Sequence, residues 1–249
     1  MAVPKFFVAI LQKLKRILII LLVCQFLYIV FLKWIDPPIT LIQLISWVDG
    51  DGLSRDYIDL EEMSPNARLA VIASEDQLFP DHTGFDWKSI EKAYEYNQRK
   101  PGRIRGGSTI SQQVAKNVFL WNGRSYLRKG LETYFTFMIE LIWGKRRILE
   151  VYLNIAEMGK GVFGIEAASR KYFKKPASKL TTAEAAMIAA CLPNPKKFTV
   201  KPLSTRVKQR YPKIQVQMRY LRPDPDIKLL ITDTPLEVKK PAKVRKTKS

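Results

Sequence analysis

The strongest constraint on the fold of this chain is an apolar run near its N-terminus. Residues 17–35 contain a single charge, that of Lys33. A helix of this length spans about 29 Å, close to the ~30 Å hydrocarbon core of a bilayer. Lys33 can extend to the interface beside Trp34, and Pro37-Pro38 ends the helix. The sequence therefore predicts one transmembrane helix over residues 17–35.

Basic residues before this run predict which way the helix crosses the membrane. They are Lys5, Lys13, Lys15 and Arg16, and the positive-inside rule places them in the cytoplasm. A cleaved signal peptide and a buried core helix are the alternatives. The run is longer than a usual signal core, and no small-x-small cleavage site follows it. We expect residues 1–16 in the cytoplasm and the remaining chain beyond the membrane.

The net charge indicates an anionic partner but does not identify it. The chain has 42 Lys and Arg against 23 Asp and Glu, a net charge of +19. Nucleic acid, a phospholipid surface and a phosphorylated substrate all fit this charge. Cys24 and Cys191 lie in distant segments and do not predict a disulfide. Because His82 is the only histidine, a zinc site of nitrogen and sulfur ligands is almost excluded.

Beyond the apolar run the pattern is mainly helical. No stretch alternates apolar and polar residues with period two. Helical spacing and capping residues predict helices over 66–78, 87–98, 109–120, 125–143, 147–158 and 182–191. The sequence thus predicts a mainly α domain over 66–220, a connecting region over 36–65 and a basic tail over 221–249. Residues 238–249 hold six Lys or Arg and no acid, so we expect the tail to be disordered.

The middle of the chain contains an acid-free basic segment. No carboxylate lies between Glu95 and Glu132, whereas eight Lys or Arg do. A surface built from salt bridges would mix the signs, so the segment favours an anion site. Arg124, Arg128 and Glu132 are spaced by four and share a helix face. A simple helix-supporting pair of Arg128 and Glu132 is the alternative.

A glycine-rich loop opens the predicted helix inside this segment. Gly106-Gly107 allows the backbone to approach a ligand closely, and the helix start offers free N–H groups. Ser108, Thr109, Gln112 and Gln113 follow. Their uncharged donors suit sugar hydroxyls and amides.

Five stretches resemble, in order, the motifs of the peptidoglycan glycosyltransferases. The first, residues 75–84, has that family's E-D-x-x-F-x-x-H-x-G pattern. The others are G-G-S-T-I-S-Q-Q-V-A-K-N at 106–117, R-K-x-x-E at 128–132, R-I-L-E-V-Y-L-N at 147–154, and Gly161 through Tyr172-Phe173. The resemblance extends over about residues 70–173 and is greatest to the monofunctional biosynthetic members of Gram-negative bacteria. It implies a lysozyme-like, mainly α glycosyltransferase domain and no transpeptidase domain.

The resemblance implies polymerisation of lipid II with inversion and release of polyprenyl pyrophosphate. The attacking sugar hydroxyl needs a base, and the pyrophosphate leaving group needs positive charge. Residue by residue, Glu75 is the expected general base and Glu132 a second catalytic carboxylate that orients the cations or helps to position the leaving group or a divalent ion. The expected substrate-binding residues are Lys116, Arg124, Arg128, Lys129, Ser108, Thr109, Gln112 and Gln113.

The implied partners are lipid II, the lipid-linked nascent glycan and the membrane, without nucleic acid. A divalent cation (magnesium or manganese) at the pyrophosphate stays open, as do contacts with cell-division or elongation proteins. The expected location is the bacterial inner membrane, with the catalytic domain in the periplasm. Two alternatives compete. One is a lytic enzyme that cleaves glycan, and the other is a membrane-tethered basic protein that binds nucleic acid or wall polymer.

Several other residues of these stretches are expected to be structural. His82 has no nucleophile to activate and no second metal ligand nearby, so we expect it to brace a turn between two helices. Lys145, Tyr152 and Asn154 are expected to brace helices beneath the cleft. For Phe119-Leu120-Trp121, membrane contact and core packing are both open.

Overall fold

The computed structural model describes residues 5–100, 106–123 and 125–233. Its helices are α1 (Lys5–Phe31), α2 (Leu41–Val48), α3 (Pro65–Glu75), α4 (Trp87–Arg99), α5 (Ile110–Phe119), α6 (Tyr126–Ile142), α7 (Lys145–Ile155), α8 (Ile165–Phe173), α9 (Thr182–Cys191), α10 (Thr205–Leu221) and α11 (Pro225–Ile231). Its strands are β1 (Ser54–Arg55), β2 (Glu157–Gly159) and β3 (Val162–Phe163). They form one sheet in the order β1-β3-β2, with β1 parallel and β2 antiparallel to β3. The predicted mainly α fold with an N-terminal apolar helix is confirmed.

Helix α1 contains residues 17–31 of the predicted membrane span, whereas residues 32–35 lie in the turn that follows it. It runs from Lys5 to Phe31, and a window of 18 residues within it has a mean hydropathy of 2.2. Only 6% of that window is buried, so the domain leaves the helix free for lipid. A turn follows the helix, and Lys33 Nζ lies 5.5 Å from the ring centroid of Trp34.

The end of α1 is fixed to the domain. Ile29 and Leu32 are fully buried. The Trp143 indole N–H donates to the Ile29 carbonyl at 2.8 Å, and the Arg147 guanidinium donates to the Leu32 carbonyl at 3.1 and 3.2 Å. These donors satisfy carbonyls that a helix end leaves without a partner. The domain is therefore attached directly to the C-terminal end of α1.

Helix α3 runs through the core of the domain. Ser64 caps it by accepting from the Asn66 N–H at 3.0 Å. Every residue from Ala67 to Ala73 is buried, as expected for a helix packed on all sides. Helices α9, α10 and α11 pack against it. Since α3 ends at Glu75, its packing fixes the position of that carboxylate.

The predicted connecting region over 36–65 is a folded part of the domain. It contains α2 and β1. The Asn154 side chain donates to the Ile58 carbonyl at 2.9 Å and accepts from the Ile58 N–H at 3.2 Å. At Gly161, where φ is +65°, an added Cβ would lie 2.1 Å from the Asp51 carbonyl oxygen. Only glycine fits this junction, because a side chain would collide with fixed backbone.

Four of the described helices were not predicted from the sequence, namely α2, α8, α10 and α11, and the last two complete the described part of the domain. Helix α11 buries Ile227, Leu230 and Ile231 and packs on α3. The predicted tail over 221–249 therefore begins with folded structure. Residues 234–249 lie outside the described residues.

An ion pair between a buried guanidinium and a partly exposed carboxylate holds α11 in place. Arg68, fully buried on α3, donates from both terminal nitrogens to the Asp233 carboxylate at 2.7 and 3.1 Å. Arg146 donates to the carbonyls of Leu229 and Thr232 at 3.0 and 3.2 Å. A buried guanidinium without a counter-charge is unfavourable. Asp233, which follows α11, thus compensates the buried charge of Arg68 on α3.

We expect Asp233→Asn to lower the free energy of unfolding by about 2 kcal/mol at neutral pH, less than a fully buried pair would because water reaches Asp233. Its side chain is 42% exposed. Hydrogen bonding to Arg68 lowers the pKa of Asp233, so the contribution is present above the ordinary aspartate pKa and is lost as pH falls through the lowered value. Urea denaturation of the detergent-solubilised protein over a pH series measures both effects.

The matched control is Glu61→Gln, which removes an exposed partner of Arg146. We expect it to cost no more than about 0.5 kcal/mol. Equal losses for the two variants would contradict a special role of the buried Arg68 pair.

Candidate active site

One carboxylate joins the end of α3 to the start of α5. Asp76 accepts from the Ile110 backbone N–H at 2.9 Å and from His82 Nε2 at 3.0 Å. His82 Nδ1 accepts from the Gly84 N–H at 3.1 Å, so the imidazole proton lies on Nε2. This arrangement confirms that His82 braces the turn.

Three donor groups surround the Glu75 carboxylate. The Ser74 hydroxyl lies 2.8 Å from Oε1, and the Gln113 amide donates to Oε2 at 3.2 Å. Arg210 Nη2, from α10, lies 3.5 Å from Oε1 and donates to the Ser74 hydroxyl and carbonyl at 2.9 and 3.2 Å. Glu75 is therefore held in a defined orientation.

The wall behind Glu75 is closed to water. Tyr152 and Cys191 are fully buried there, and the Tyr152 hydroxyl donates to Gln113 Oε1 at 3.2 Å. Burial first, and the Glu75 charge second, raise the pKa of Cys191 to about 12 and that of Tyr152 well above its usual range. Both groups stay protonated at neutral pH, so neither adds a negative charge beside Glu75.

Glu75 lines a cleft of about 540 Å³. The opposite side is the glycine loop of residues 106–109, together with Asp86 and Ser89. At Gly107 an added Cβ would lie 3.1 Å from the Ser89 carbonyl oxygen. The glycine therefore brings the loop against α4 and leaves the cleft open.

The predicted substrate-binding residues of this loop differ in exposure. Thr109 caps α5 and forms a capping box with Gln112, and its hydroxyl donates to the Gly84 carbonyl at 2.7 Å. The Thr109 hydroxyl and the Gln112 amide oxygen are engaged within the protein, so these two buried residues hold the start of α5. Ser108 is exposed and lines the cleft, and Gln113 bonds Glu75.

A cationic cluster lies between α5 and α6. Arg128 Nη1 contacts Glu132 at 2.6 Å, and Lys129 contacts the other oxygen of the same carboxylate. Burial lowers the pKa of Lys116, the Glu132 charge opposes that effect, and the Arg128 and Lys129 charges reinforce it. The charges of Glu132, Arg128 and Lys129 therefore act on Lys116, and the four residues form one cluster. Arg124 lies outside the described residues.

The described residues around Glu132 do not by themselves form a metal site. Both Glu132 oxygens are bonded to cations. In residues 5–100, 106–123 and 125–233, no group of three or more His, Cys, Asp or Glu is arranged to hold a metal ion. Glu132 is placed to orient the cluster.

Comparisons with known proteins identify the family of this chain. A family model described as Transglycosylase matches residues 42–219. The chain belongs to the transglycosylase family. It is 57% identical over 182 residues to a biosynthetic peptidoglycan transglycosylase of Yersinia pseudotuberculosis, covering 72% of this chain and 76% of that protein. A biosynthetic peptidoglycan transglycosylase of Escherichia coli is 55% identical over 186 residues, covering 74% and 77%.

In this transglycosylase the residues expected to be structural do brace the domain. Lys145 pairs with Glu140 at 2.6 Å, and Tyr152 and Asn154 are buried and hydrogen-bonded. Within the open Phe119-Leu120-Trp121 stretch, Phe119 stacks on Phe135 at 4.5 Å and Leu120 is buried, whereas Trp121 is exposed.

The position of Arg210 beside Glu75 was not predicted from the sequence, because Arg210 follows the last of the five motifs. A possible signal was a second acid-free basic stretch over 185–223, which holds nine Lys or Arg. That stretch indicates an anion-facing element. Only the packing of α10 on α3 brings one of its cations to Glu75.

We expect His82→Gln to retain transglycosylase activity, because the amide can still donate to Asp76. His82→Ala should lower the free energy of unfolding by about 1–2 kcal/mol through the lost hydrogen bonds. Activity assays and thermal unfolding of both variants measure this. Complete inactivity of a stably folded His82→Gln protein would show that His82 takes part in the chemistry.

Proposed function

We propose that this protein polymerises lipid II into glycan strands at the bacterial inner membrane. The observation that carries the proposal is the relation of Glu75 to the cationic cluster through α5. Gln113 bonds Glu75, and Lys116 lies three residues further along the same helix, about 4.5 Å along its axis. Both residues line one further cavity of about 210 Å³. A base and a phosphate site thus adjoin each other.

In the proposed reaction the 4-hydroxyl of the acceptor sugar attacks the anomeric carbon of the lipid-linked donor. A new C1–O4 bond forms, the bond from C1 to the phosphate oxygen breaks, and the hydroxyl proton passes to the Glu75 carboxylate. Attack opposite the leaving group inverts the anomeric centre. The donors from Ser74 and Gln113 orient the carboxylate, which keeps its geometry suited to general-base catalysis.

The leaving polyprenyl pyrophosphate requires positive charge rather than an acid. Lys116, Arg128 and Lys129 supply it in this proposal, with Arg124 as an expected fourth member, and Glu132 fixes the direction of the Arg128 guanidinium. Arginine can bind two phosphate oxygens at once. Exposed Ser108 is proposed to contact the substrate sugars or peptide.

The apolar surface of the domain fits a position against the membrane. Leu127, Phe137 and Leu141 are exposed on α6, the helix that contacts α1. We place α1 across the inner membrane, residues before it in the cytoplasm and the catalytic domain in the periplasm. Both substrates carry lipid tails, so confinement to one surface raises their effective concentration.

A lytic glycosidase is less well supported by this site. Cleavage of a glycosidic bond needs a carboxylic acid to protonate the leaving alcohol. Asp76, the neighbouring carboxylate, is buried and accepts from Ile110 and His82. A basic binding protein would not need an oriented carboxylate inside a cleft.

Glu75→Gln should lower glycan synthesis by about 10²–10⁴-fold, because the amide cannot accept the hydroxyl proton. The measurement is polymerisation of labelled lipid II by the purified full-length protein. Glu95→Gln, at an exposed position paired with Arg99, is the control and should keep the wild-type rate.

The same preparations are also incubated with purified cell-wall sacculi. Glycan synthesis from lipid II without release of fragments supports the proposal. Digestion of sacculi without synthesis would establish the lytic alternative. An unchanged rate in Glu75→Gln would exclude Glu75 as the base.

Lys116→Ala should lower the rate by about 10²–10³-fold through lost stabilisation of the pyrophosphate. Because the pKa of Lys116 is lowered, chiefly by burial, its charge should be lost at a lower pH than that of an ordinary lysine. The wild-type rate should fall on the alkaline side, and Lys116→Arg should move that limb to higher pH. Lys88→Ala, exposed on α4, is the control. Unaltered kinetics in Lys116→Ala would remove this residue from the site.

A further inference from the structure

Tyr152 makes a contact that packing alone does not explain. Its side chain is 1% exposed and belongs to α7. Its hydroxyl lies 3.2 Å from Gln113 Oε1. In the described part of the chain, this is the one hydrogen bond recorded for that hydroxyl. The ring contributes to the core, but the hydroxyl is directed at a residue of the cleft.

Gln113 connects this hydroxyl to the reacting carboxylate. Its amide nitrogen donates to Glu75 Oε2 at 3.2 Å while its amide oxygen accepts from Tyr152. The two ends of a glutamine amide have nearly the same shape but opposite hydrogen-bonding roles. If the amide were reversed, its oxygen would face the Glu75 carboxylate and no donor would remain on that side.

We propose that Tyr152 is a positioning residue that fixes the orientation of the Gln113 amide and thereby holds the Glu75 carboxylate ready to accept a proton. The hydroxyl acts as a donor that selects the amide orientation with nitrogen toward Glu75. Tyr152 also lines the cavity of about 210 Å³ beside Gln113 and Lys116, and in this proposal it acts through Gln113 rather than by binding substrate.

The surroundings make this donor permanent. Burial raises the pKa of Tyr152 well above its usual range, so the hydroxyl keeps its proton at any pH at which the protein works. Cys191 lies on the same wall, and its thiol bonds the Met158 carbonyl at 3.3 Å. Its hydrogen bond is thus directed away from Gln113. Since hydrogen bonds strengthen in a dry environment, the Tyr152 bond can bias the amide strongly.

The test rests on the proposed function, since its readout is lipid II polymerisation. Tyr152→Phe removes only the hydroxyl. We expect the kcat to fall about tenfold, the size expected for losing one well-placed hydrogen bond, with KM for lipid II unchanged. The control is Tyr57→Phe, because Tyr57 also pairs with a glutamine, Gln43, but in the connecting region. It should keep the wild-type kcat.

A double-mutant cycle with Gln113→Ala shows whether Tyr152 acts through Gln113. If it does, Tyr152→Phe should have little further effect on kcat once the amide is absent. Equal fold losses in the two backgrounds would overturn the inference. So would a kcat of Tyr152→Phe equal to that of wild type, or a loss that only follows a fall in the thermal unfolding temperature.

Failure of this inference is distinguishable from failure of the proposed function. If wild type synthesises glycan and Glu75→Gln does not, the function stands whatever Tyr152→Phe does. If wild type makes no glycan from lipid II, the function itself fails, and the Tyr152 inference fails with it.

Discussion

The site depends on the hydrogen bonds that Asp76 accepts. This carboxylate follows the last residue of α3 and bonds the first backbone N–H of α5, so two helices distant in sequence meet at one point. An N–H at a helix start has no partner within its own helix and carries the positive end of the helix dipole. The bond therefore satisfies both groups, and it brings Gln113 of α5 within reach of Glu75 of α3.

The geometry of α5 then positions the first cation of the cluster relative to this junction. Gln113 and Lys116 lie one turn apart on α5, so the helix that orients the carboxylate also carries the first cation of the anion site. Glu132 then holds Arg128 and Lys129. A buried carboxylate between cations keeps them close together despite their mutual repulsion. Positive charge is thereby concentrated beside Glu75, the proposed general base, as the proposed transfer from a pyrophosphate donor requires.

Much of the fold was predictable because the signals were local. The apolar span and the helical spacing of α5 and α6 are each contained within a short window. Helices α10 and α11 were missed for the opposite reason. Helix α10 is largely basic and contains Pro212, and its helical form depends on packing against α9 and α3. The prediction of a basic tail over 221–249 was wrong for its first residues, which form α11. Asp233, just after that helix, pairs with the buried Arg68 of α3.

The sequence by itself predicted the apolar membrane span, the family and the proposed site residues Glu75, Lys116 and Glu132, because these predictions depend on composition and on motifs of residues at short fixed spacing. Only the tertiary structure decided which polar groups face one another. It placed Arg210 beside Glu75, although the two residues are 135 positions apart in the sequence. It also brought His82 into a hydrogen bond with Asp76 and the Tyr152 hydroxyl into one with Gln113. Such contacts arise from the packing of whole helices, so no local pattern records them.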